Sequence, residues 1–308
     1  KPEFDIIRYR WPTWPPEPED SSLRFGDPIP ALHEAANGEG WSRDFDVGPN
    51  TASLVDQLLD KGGLISIRSA ARALDRHIKY CIVNGKPNEA ADDAIAIMDL
   101  ANIYTNEPIS MVESLVGIAV RGMALARLNH LVQHEDLSDE TLDRIAACLA
   151  ETDMHEQAEF TFKGERAFGI STFEHDMPWK KMWLARGYGN REMLAYLDLL
   201  DTIVSDENFL DAAPSEPSFT DKYSKIARTT LTRLLLPAID AARTAMLRNI
   251  IQMNIIQIEI ALKQHGDADS LIQAEGTVDL TKLGLPEETV TDPYSGKPLI
   301  AKQIQPDP

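Results

Sequence analysis

The residue of this chain whose type and setting most favour chemistry is Glu165. Residues three and four positions apart share one face of a helix. The side chains that share a face with Glu165 in this way are Ala158, Phe162, Gly169 and Phe173. A lone carboxylate among apolar neighbours costs several kcal/mol to desolvate. We therefore expect Glu165 to be paired or protonated, with Arg166, or an arginine of another helix, as its partner.

Two interpretations of Glu165 stay open. It acts as a general acid/base or as a polar anchor for a ligand, with Arg166 as the second catalytic candidate. Alternatively, the two residues form a structural ion pair that fixes helix packing, because buried pairs also shift pKa values without a catalytic role. His155 and His175 are the remaining candidates for ligand binding.

No metal and no cofactor is expected from these residues. His155-Glu156 begins like a zinc-peptidase helix, but the second histidine four residues later is absent. His175 lies about 30 Å further along a helix of that length, too far for one site. We take Cys81 and Cys148 to have no CxxC or Cys/His neighbourhood and predict buried free thiols, although a disulfide stays open.

The charge and hydropathy of the chain exclude two classes of partner. The 308 residues carry a net charge of −19, whereas binding to nucleic acid or to an anionic membrane needs a concentrated basic face. No run of 18 or more apolar residues predicts a transmembrane helix. Because the chain begins with Lys1 instead of Met, we expect an export signal or membrane anchor in a preceding segment.

Helical periodicity between about residues 51 and 265 predicts an all-α fold of eight to nine helices. Short polar links join successive helices, which favours stacked antiparallel hairpins in a repeat-like array. We divide the chain into an extended Pro/Trp-rich arm (1–50), a helical domain (51–265) and a C-terminal turn and hairpin module (266–308) packed on that domain.

The last long helix and the turn after it have distinct signals. Pro237 predicts a kink or a break in the helix, and residues 246–262 are apolar on most sides, which predicts central burial. Residues 292–297, Asp-Pro-Tyr-Ser-Gly-Lys, have the chemistry of a tight turn. With residues 289–291 before it and 298–301 after it, the turn predicts a small terminal β-hairpin.

Several short segments between about residues 85 and 300 carry a resemblance. They are Glu107-Pro108-Ile109-Ser110, Leu115-Val116-Gly117-Ile118-Ala119, Leu137-Ser138-Asp139, Gly164-Glu165-Arg166-Ala167, Ala261-Leu262-Lys263 with His265-Gly266, and Asp292-Pro293-Tyr294-Ser295-Gly296-Lys297-Pro298-Leu299. Together they resemble a family of uncharacterised helical proteins of planctomycetes and related bacteria. That family has no assigned activity, so the resemblance implies none for this chain. It does imply an N-terminal membrane or export segment.

The tail alone is similar to the C-terminal part of type II secretion pseudopilins, in which a long helix leads to an Asp-Pro-aromatic-x-Gly element. This chain departs from that pattern, because Gly266-Asp267-Ala268 stands where the pseudopilins have Gly-Tyr-Pro. Its long helix also comes late in the chain instead of following an N-terminal segment.

We therefore expect a helical scaffold or binding protein of the bacterial cell envelope, without catalytic activity, that binds a protein or a small ligand. One alternative is a hydrolase-like enzyme that uses Glu165 as general acid/base. The other is a pseudopilin-like component of a secretion system. The sequence leaves the ligand and the oligomeric state open.

Overall fold

The computed structural model describes residues 3–5, 29–37, 64–175, 186–206, 209–210, 219–265 and 277–304. Nine α-helices lie within these ranges, and the all-α prediction is confirmed. They are α1 (Ile29–Ala36), α2 (Leu64–Val83), α3 (Pro87–Thr105), α4 (Met111–His134), α5 (Asp139–Ala150), α6 (Met154–His175), α7 (Arg186–Val204), α8 (Phe219–Ser224) and α9 (Thr230–Gln264). None of these described helices is long and apolar enough to cross a membrane.

Local sequence signals mark the residues at which several of these helices begin. Pro87 opens α3, where its missing N–H and fixed φ are tolerated. The hydroxyl of Ser110 accepts from the N–H of Glu113 at the start of α4. Ser138 does the same for Thr141 at the start of α5. Each hydroxyl satisfies a backbone donor that has no partner within the helix.

The helices close into a bundle around α4 and α9. Helices α2, α3 and α4 pack against one another in chain order, as expected for consecutive hairpins, and α1 lies on α2 and α3. Helix α9 then returns from far along the chain to pack along α4. A linear array has contacts only between neighbouring repeats, so this return gives the fold a central pair of helices that an array lacks.

Helix α9 is continuous through Pro237. The residue is exposed, so the carbonyl that loses its hydrogen bond one turn earlier lies on a face that water reaches. No break was therefore needed at this position. The second half of the helix is buried as predicted, with Met246, Met253 and Ile260 all at most 5% exposed.

A small sheet and the C-terminal turn pack near the end of α9. Strand β3 (Ala301–Ile304) pairs antiparallel with β1 (Glu3–Asp5) and with β2 (Thr277–Val278). The predicted terminal hairpin is reduced to one bridge between Thr291 and Pro298, because regular pairing begins only at Ala301. The predicted turn is present, with Gly296 at φ 62°.

Some predictions fall on residues outside the described ranges. They concern the Pro/Trp-rich arm at residues 11–18, the first part of the predicted helical domain at residues 51–63, and residues 266–276. Within the segment predicted as an extended arm, residues 29–36 form α1. Pro30 stands in its first turn, where proline is favoured, and good helix formers follow it.

Candidate functional site

Glu165 caps a neighbouring helix. Its Oε2 accepts a hydrogen bond of 2.8 Å from the backbone N–H of Met111, the first residue of α4. The buried phenol of Tyr196 donates to the backbone carbonyl of Glu165 at 2.7 Å and approaches its Oε1 at 3.3 Å. A carboxylate at a helix N-terminus satisfies a free donor and interacts favourably with the helix dipole. These contacts give Glu165 a structural role.

Two glycines of α6 allow this approach. A Cβ on Gly164 would lie 2.0 Å from the carbonyl oxygen of Pro108, just before α4. A Cβ on Gly169 would lie 2.3 Å from a ring carbon of Tyr196. Both distances are far inside van der Waals contact, so only glycine lets the chain before α4 and helix α7 come this close.

The other predicted site residues do not join Glu165. Arg166 does not pair with it, because Arg166 forms an exposed ion pair of 2.7 Å with Asp201 of α7. Neighbouring positions on a helix point about 100° apart, which explains the failed prediction. His155 is exposed near the start of α6, about 15 Å along the helix from Glu165. His175 ends the same helix, and its side chain lies outside the described part.

Glu192 repeats the arrangement at α9. The buried Glu192 of α7 accepts a hydrogen bond of 2.9 Å from the N–H of Leu231 in the first turn of α9. Burial alone would raise the pKa of Glu192, but the N–H of Leu231 and the hydroxyl of Thr229 hold that pKa below its ordinary value. Two glutamates from adjacent helices thus cap α4 and α9, the central pair.

A different cluster brings metal-binding side chains together between α1, α2 and α3. His77 Nδ1 lies 2.6 Å from Oδ2 of Asp93, and His33 Nε2 lies 2.7 Å from Oδ1 of the same carboxylate. Cys81 Sγ is 3.7 Å from His77 Nδ1. His77, Cys81 and Asp93 each offer one ligand atom, and these three atoms lie within 4.8 Å of one another.

The helices position each member of the cluster. His77 and Cys81 are four residues apart on α2 and therefore share one face. Asp93 stands on α3, which the tight turn at residues 84–86 folds back along α2. His33 reaches the same carboxylate from α1. Cys81 is fully buried and Asp93 is 1% exposed, whereas the two imidazoles are half-buried.

Burial governs the ionisation of the cluster. It raises the pKa of Asp93, and the hydrogen bonds from His33 and His77 partly offset that rise. Burial and the nearby Asp93 raise the pKa of the Cys81 thiol to about 11. Without a cation, Cys81 is therefore a neutral thiol at physiological pH and a poor nucleophile. A bound metal ion would change this, since metal binding displaces the thiol proton.

Two of the three ligand pairs can be compared with the dimensions of a tetrahedral site. Zinc bond lengths place neighbouring ligand atoms about 3.3 Å apart for nitrogen and oxygen, and about 3.6 Å apart for nitrogen and sulfur. The sulfur to nitrogen distance of 3.7 Å already fits. The His77 to Asp93 distance of 2.6 Å is that of a hydrogen bond, so the two groups would separate by about 0.7 Å around an ion.

The prediction that Cys81 has no Cys/His neighbourhood is wrong. His77 stands four residues before it, and this spacing on one helix was a readable signal. The other members gave no such signal. Asp93 belongs to the next helix and His33 lies 60 residues before Asp93, so only the fold unites them.

Searches against protein-family models, curated proteins and solved structures find no match to this chain. The geometry of the described residues is therefore the basis for a functional proposal.

Proposed function

We propose that this chain is a helical binding protein that holds a divalent transition metal ion, with Zn²⁺ as the first candidate, through His77, Cys81 and Asp93. The observation that carries the proposal is the convergence of one nitrogen, one sulfur and one oxygen ligand within 4.8 Å. The Asp93 carboxylate is the member that is costly to bury without partners, and a metal ion would be a further partner beside its two histidines.

The chemical types of the three ligands favour zinc. Thiolate and imidazole are the ligands of zinc and related transition metals, and a carboxylate is also common in zinc sites. Magnesium and calcium select oxygen ligands, and only Asp93 supplies one in the cluster that the structure describes. A tetrahedral ion therefore fits the ligand set better than an octahedral one.

His33 supports the site from outside. It binds Oδ1 of Asp93, whereas the oxygen near His77 is Oδ2. An outer hydrogen bond of this kind orients a ligating carboxylate and tunes its basicity. Three protein ligands leave the fourth position of a tetrahedral ion for water or a small ligand. The side chain of His77 is 27% exposed, so solvent has access from that side.

Cobalt substitution tests the proposal. Metal-free protein titrated with Co²⁺ is expected to show the visible bands of tetrahedral Co²⁺ and a thiolate-to-cobalt charge-transfer band. Cys81→Ser is expected to remove the charge-transfer band. Cys148→Ser is the matched control and is expected to retain it, because Cys148 is the other of the two cysteines and does not belong to the cluster.

The outcomes separate clearly. If the charge-transfer band survives Cys81→Ser, or disappears in Cys148→Ser, Cys81 is not the sulfur ligand. Wild-type protein that binds no Co²⁺ and no Zn²⁺ while its circular dichroism spectrum is helical would overturn the proposal.

The cell-envelope location and a protein partner stay predictions, as does a pseudopilin-like role. For the enzyme alternative, the capping contacts of Glu165 offer no support.

A further inference from the structure

A second site lies beside the proposed metal centre. A cavity of about 580 Å³ opens between the end of α1, the C-terminal half of α3 and the segment that leads into α4. Its polar lining consists of Asn37, Asp99, Asn102, Asn106 and Glu107. The volume is in the range of small-molecule sites. Asp99 lies six residues after Asp93, so the cavity begins about 9 Å further along α3.

One face of α3 forms the wall of this cavity. Asp99, Asn102, Ile103 and Asn106 are spaced as i, i+3, i+4 and i+7, which puts them on one stripe of the helix. Polar stripes are ordinary on the solvated face of a helix. This one lines a concave cavity, and three of its four residues are polar, so the cavity presents polar groups to a ligand.

A buried arginine fixes the orientation of Asn102. Arg121 is fully buried, and its guanidinium donates to Oδ1 of Asn102 and to Oγ1 of Thr105, each at 2.8 Å. Because a guanidinium only donates, the oxygen of the Asn102 amide must face Arg121. The Nδ2 group of Asn102 is left as a donor, and it has no hydrogen-bond partner among the described residues.

Among the described residues, the carboxylates of the cavity form no ion pair with a cationic side chain. Asp99 is half-buried, and within the described ranges it makes no hydrogen bond or ion pair. Burial and the charge of Glu151 raise the pKa of Asp99 to about 6, and only the charge of His33 opposes this rise. Glu107 adds a second carboxylate to the lining. A carboxylate held partly out of water gains most from a cation brought by a ligand.

We propose that this cavity binds a small polar molecule that carries an ammonium group for Asp99 and a hydroxyl or carbonyl oxygen for the amide of Asn102. Amino sugars and amino alcohols have this chemistry. The inference is independent of the metal centre, since it uses none of the metal-binding side chains.

Calorimetric or ligand-observed NMR titration of chelator-treated protein tests the proposal. The probes are glucosamine and ethanolamine. Glucose is the comparison for glucosamine, because it has a neutral hydroxyl in place of the ammonium group. Glucosamine is expected to bind at least about tenfold more tightly than glucose, the ratio that one modest ionic hydrogen bond provides. Asp99→Asn is expected to abolish this preference. Glu151→Gln is the control and is expected to keep it, because Glu151 lies near Asp99 without lining the cavity.

Three results would overturn the inference. The first is equal binding of glucose and glucosamine, and the second is binding of neither amine at about 10 mM, above the Kd of ordinary fragment-sized ligands. The third is an amine preference that persists in Asp99→Asn. Asp99 has no partner to lose within the described chain, so its amide variant should remain folded, and circular dichroism checks this. Failure of amine binding leaves the cobalt spectrum unaffected, so the two proposals fail separately.

Discussion

At Glu165 and Glu192 the environment, more than the residue type, decides the role of a carboxylate. Both accept hydrogen bonds from the first turn of a neighbouring helix, and the pKa of Glu192 is lowered as a result. Asp93 instead lies between two imidazoles, and burial raises its pKa. The first two are positioned to stabilise helices, whereas Asp93 has the partners and the burial of a metal ligand.

The capping role of Glu165 predicts a loss of stability without it. Glu165→Ala should lower the free energy of unfolding by about 1–2 kcal/mol, the usual cost of losing a side-chain cap. Urea denaturation measures this change. The control is Arg166→Ala, which should change stability by less than about 0.5 kcal/mol, since its pair with Asp201 is solvent-exposed. A larger loss for Arg166→Ala than for Glu165→Ala would contradict the assignment.

The supporting role of His33 predicts a partial effect on metal binding. His33→Ala should weaken Co²⁺ binding by about 10–100-fold, as loss of an outer-shell partner commonly does, and should leave the charge-transfer band in place at saturation. Titration followed by absorbance measures both. The exposed His155 is the control position, and His155→Ala should have no effect. Complete loss of the band in His33→Ala would show that the ligand set is not the one proposed.

At the scale of helices, close approach depends on glycines at particular positions. Gly164 meets the carbonyl of Pro108, whereas Gly122 in the middle of α4 has open space where a Cβ would stand. The same substitution therefore has opposite consequences at the two sites, which makes them a matched pair.

Gly164→Ala should destabilise the protein by about 2–3 kcal/mol, because backbone must move to admit the methyl group. Gly122→Ala should stabilise it by about 0.5–1 kcal/mol, since alanine is the better helix former. Urea denaturation of both variants gives the comparison. Equal effects in the two variants would mean that α6 does not approach the start of α4 as described.

The packing of α9 on α4 predicts a pH dependence of stability. Glu259 of α9 is 7% exposed, and burial raises its pKa to about 7, while the amide of Gln133 and the charge of Lys263 oppose the rise. Between about pH 4.5 and pH 7 the unfolded chain has lost a proton that the folded chain keeps. Rising pH therefore lowers stability across this window, by at most about 3 kcal/mol.

Glu259→Gln should remove this component, so that the variant gains stability relative to the wild type as pH rises from about 5 to 8. The midpoint of urea denaturation at several pH values measures the difference. Glu288→Gln provides the comparison, because Glu288 is exposed. A difference between Glu259→Gln and wild type that is constant with pH would be inconsistent with a proton held by Glu259.

At the scale of the whole molecule, local patterns in the sequence were sufficient to predict the all-α fold, the burial of the second half of α9 and the turn at Asp292. These features depend on residues close together in the chain. The return of α9 to α4 and the capping of α4 by Glu165 depend on contacts between residues far apart, which no local pattern encodes. The sequence pointed to Glu165 as a carboxylate in need of a partner, but that partner is a backbone N–H of another helix instead of an arginine.

The metal cluster shows the same division. His77 and Cys81 were readable together from one helix, whereas Asp93 and His33 joined them only through the packing of α1, α2 and α3. The three helices thus bring distant residues to one buried point. Metal binding there would link the short α1 to the hairpin of α2 and α3, through the hydrogen bond between His33 and Asp93.

X-ray absorption spectroscopy of the zinc-loaded protein tests the central claim most directly. The spectrum should show one sulfur at about 2.3 Å and two to three nitrogen or oxygen ligands at about 2.0–2.2 Å. The sulfur shell should be absent in Cys81→Ser and retained in Cys148→Ser. A zinc environment of nitrogen and oxygen alone in the wild-type protein would contradict the metal centre at His77, Cys81 and Asp93.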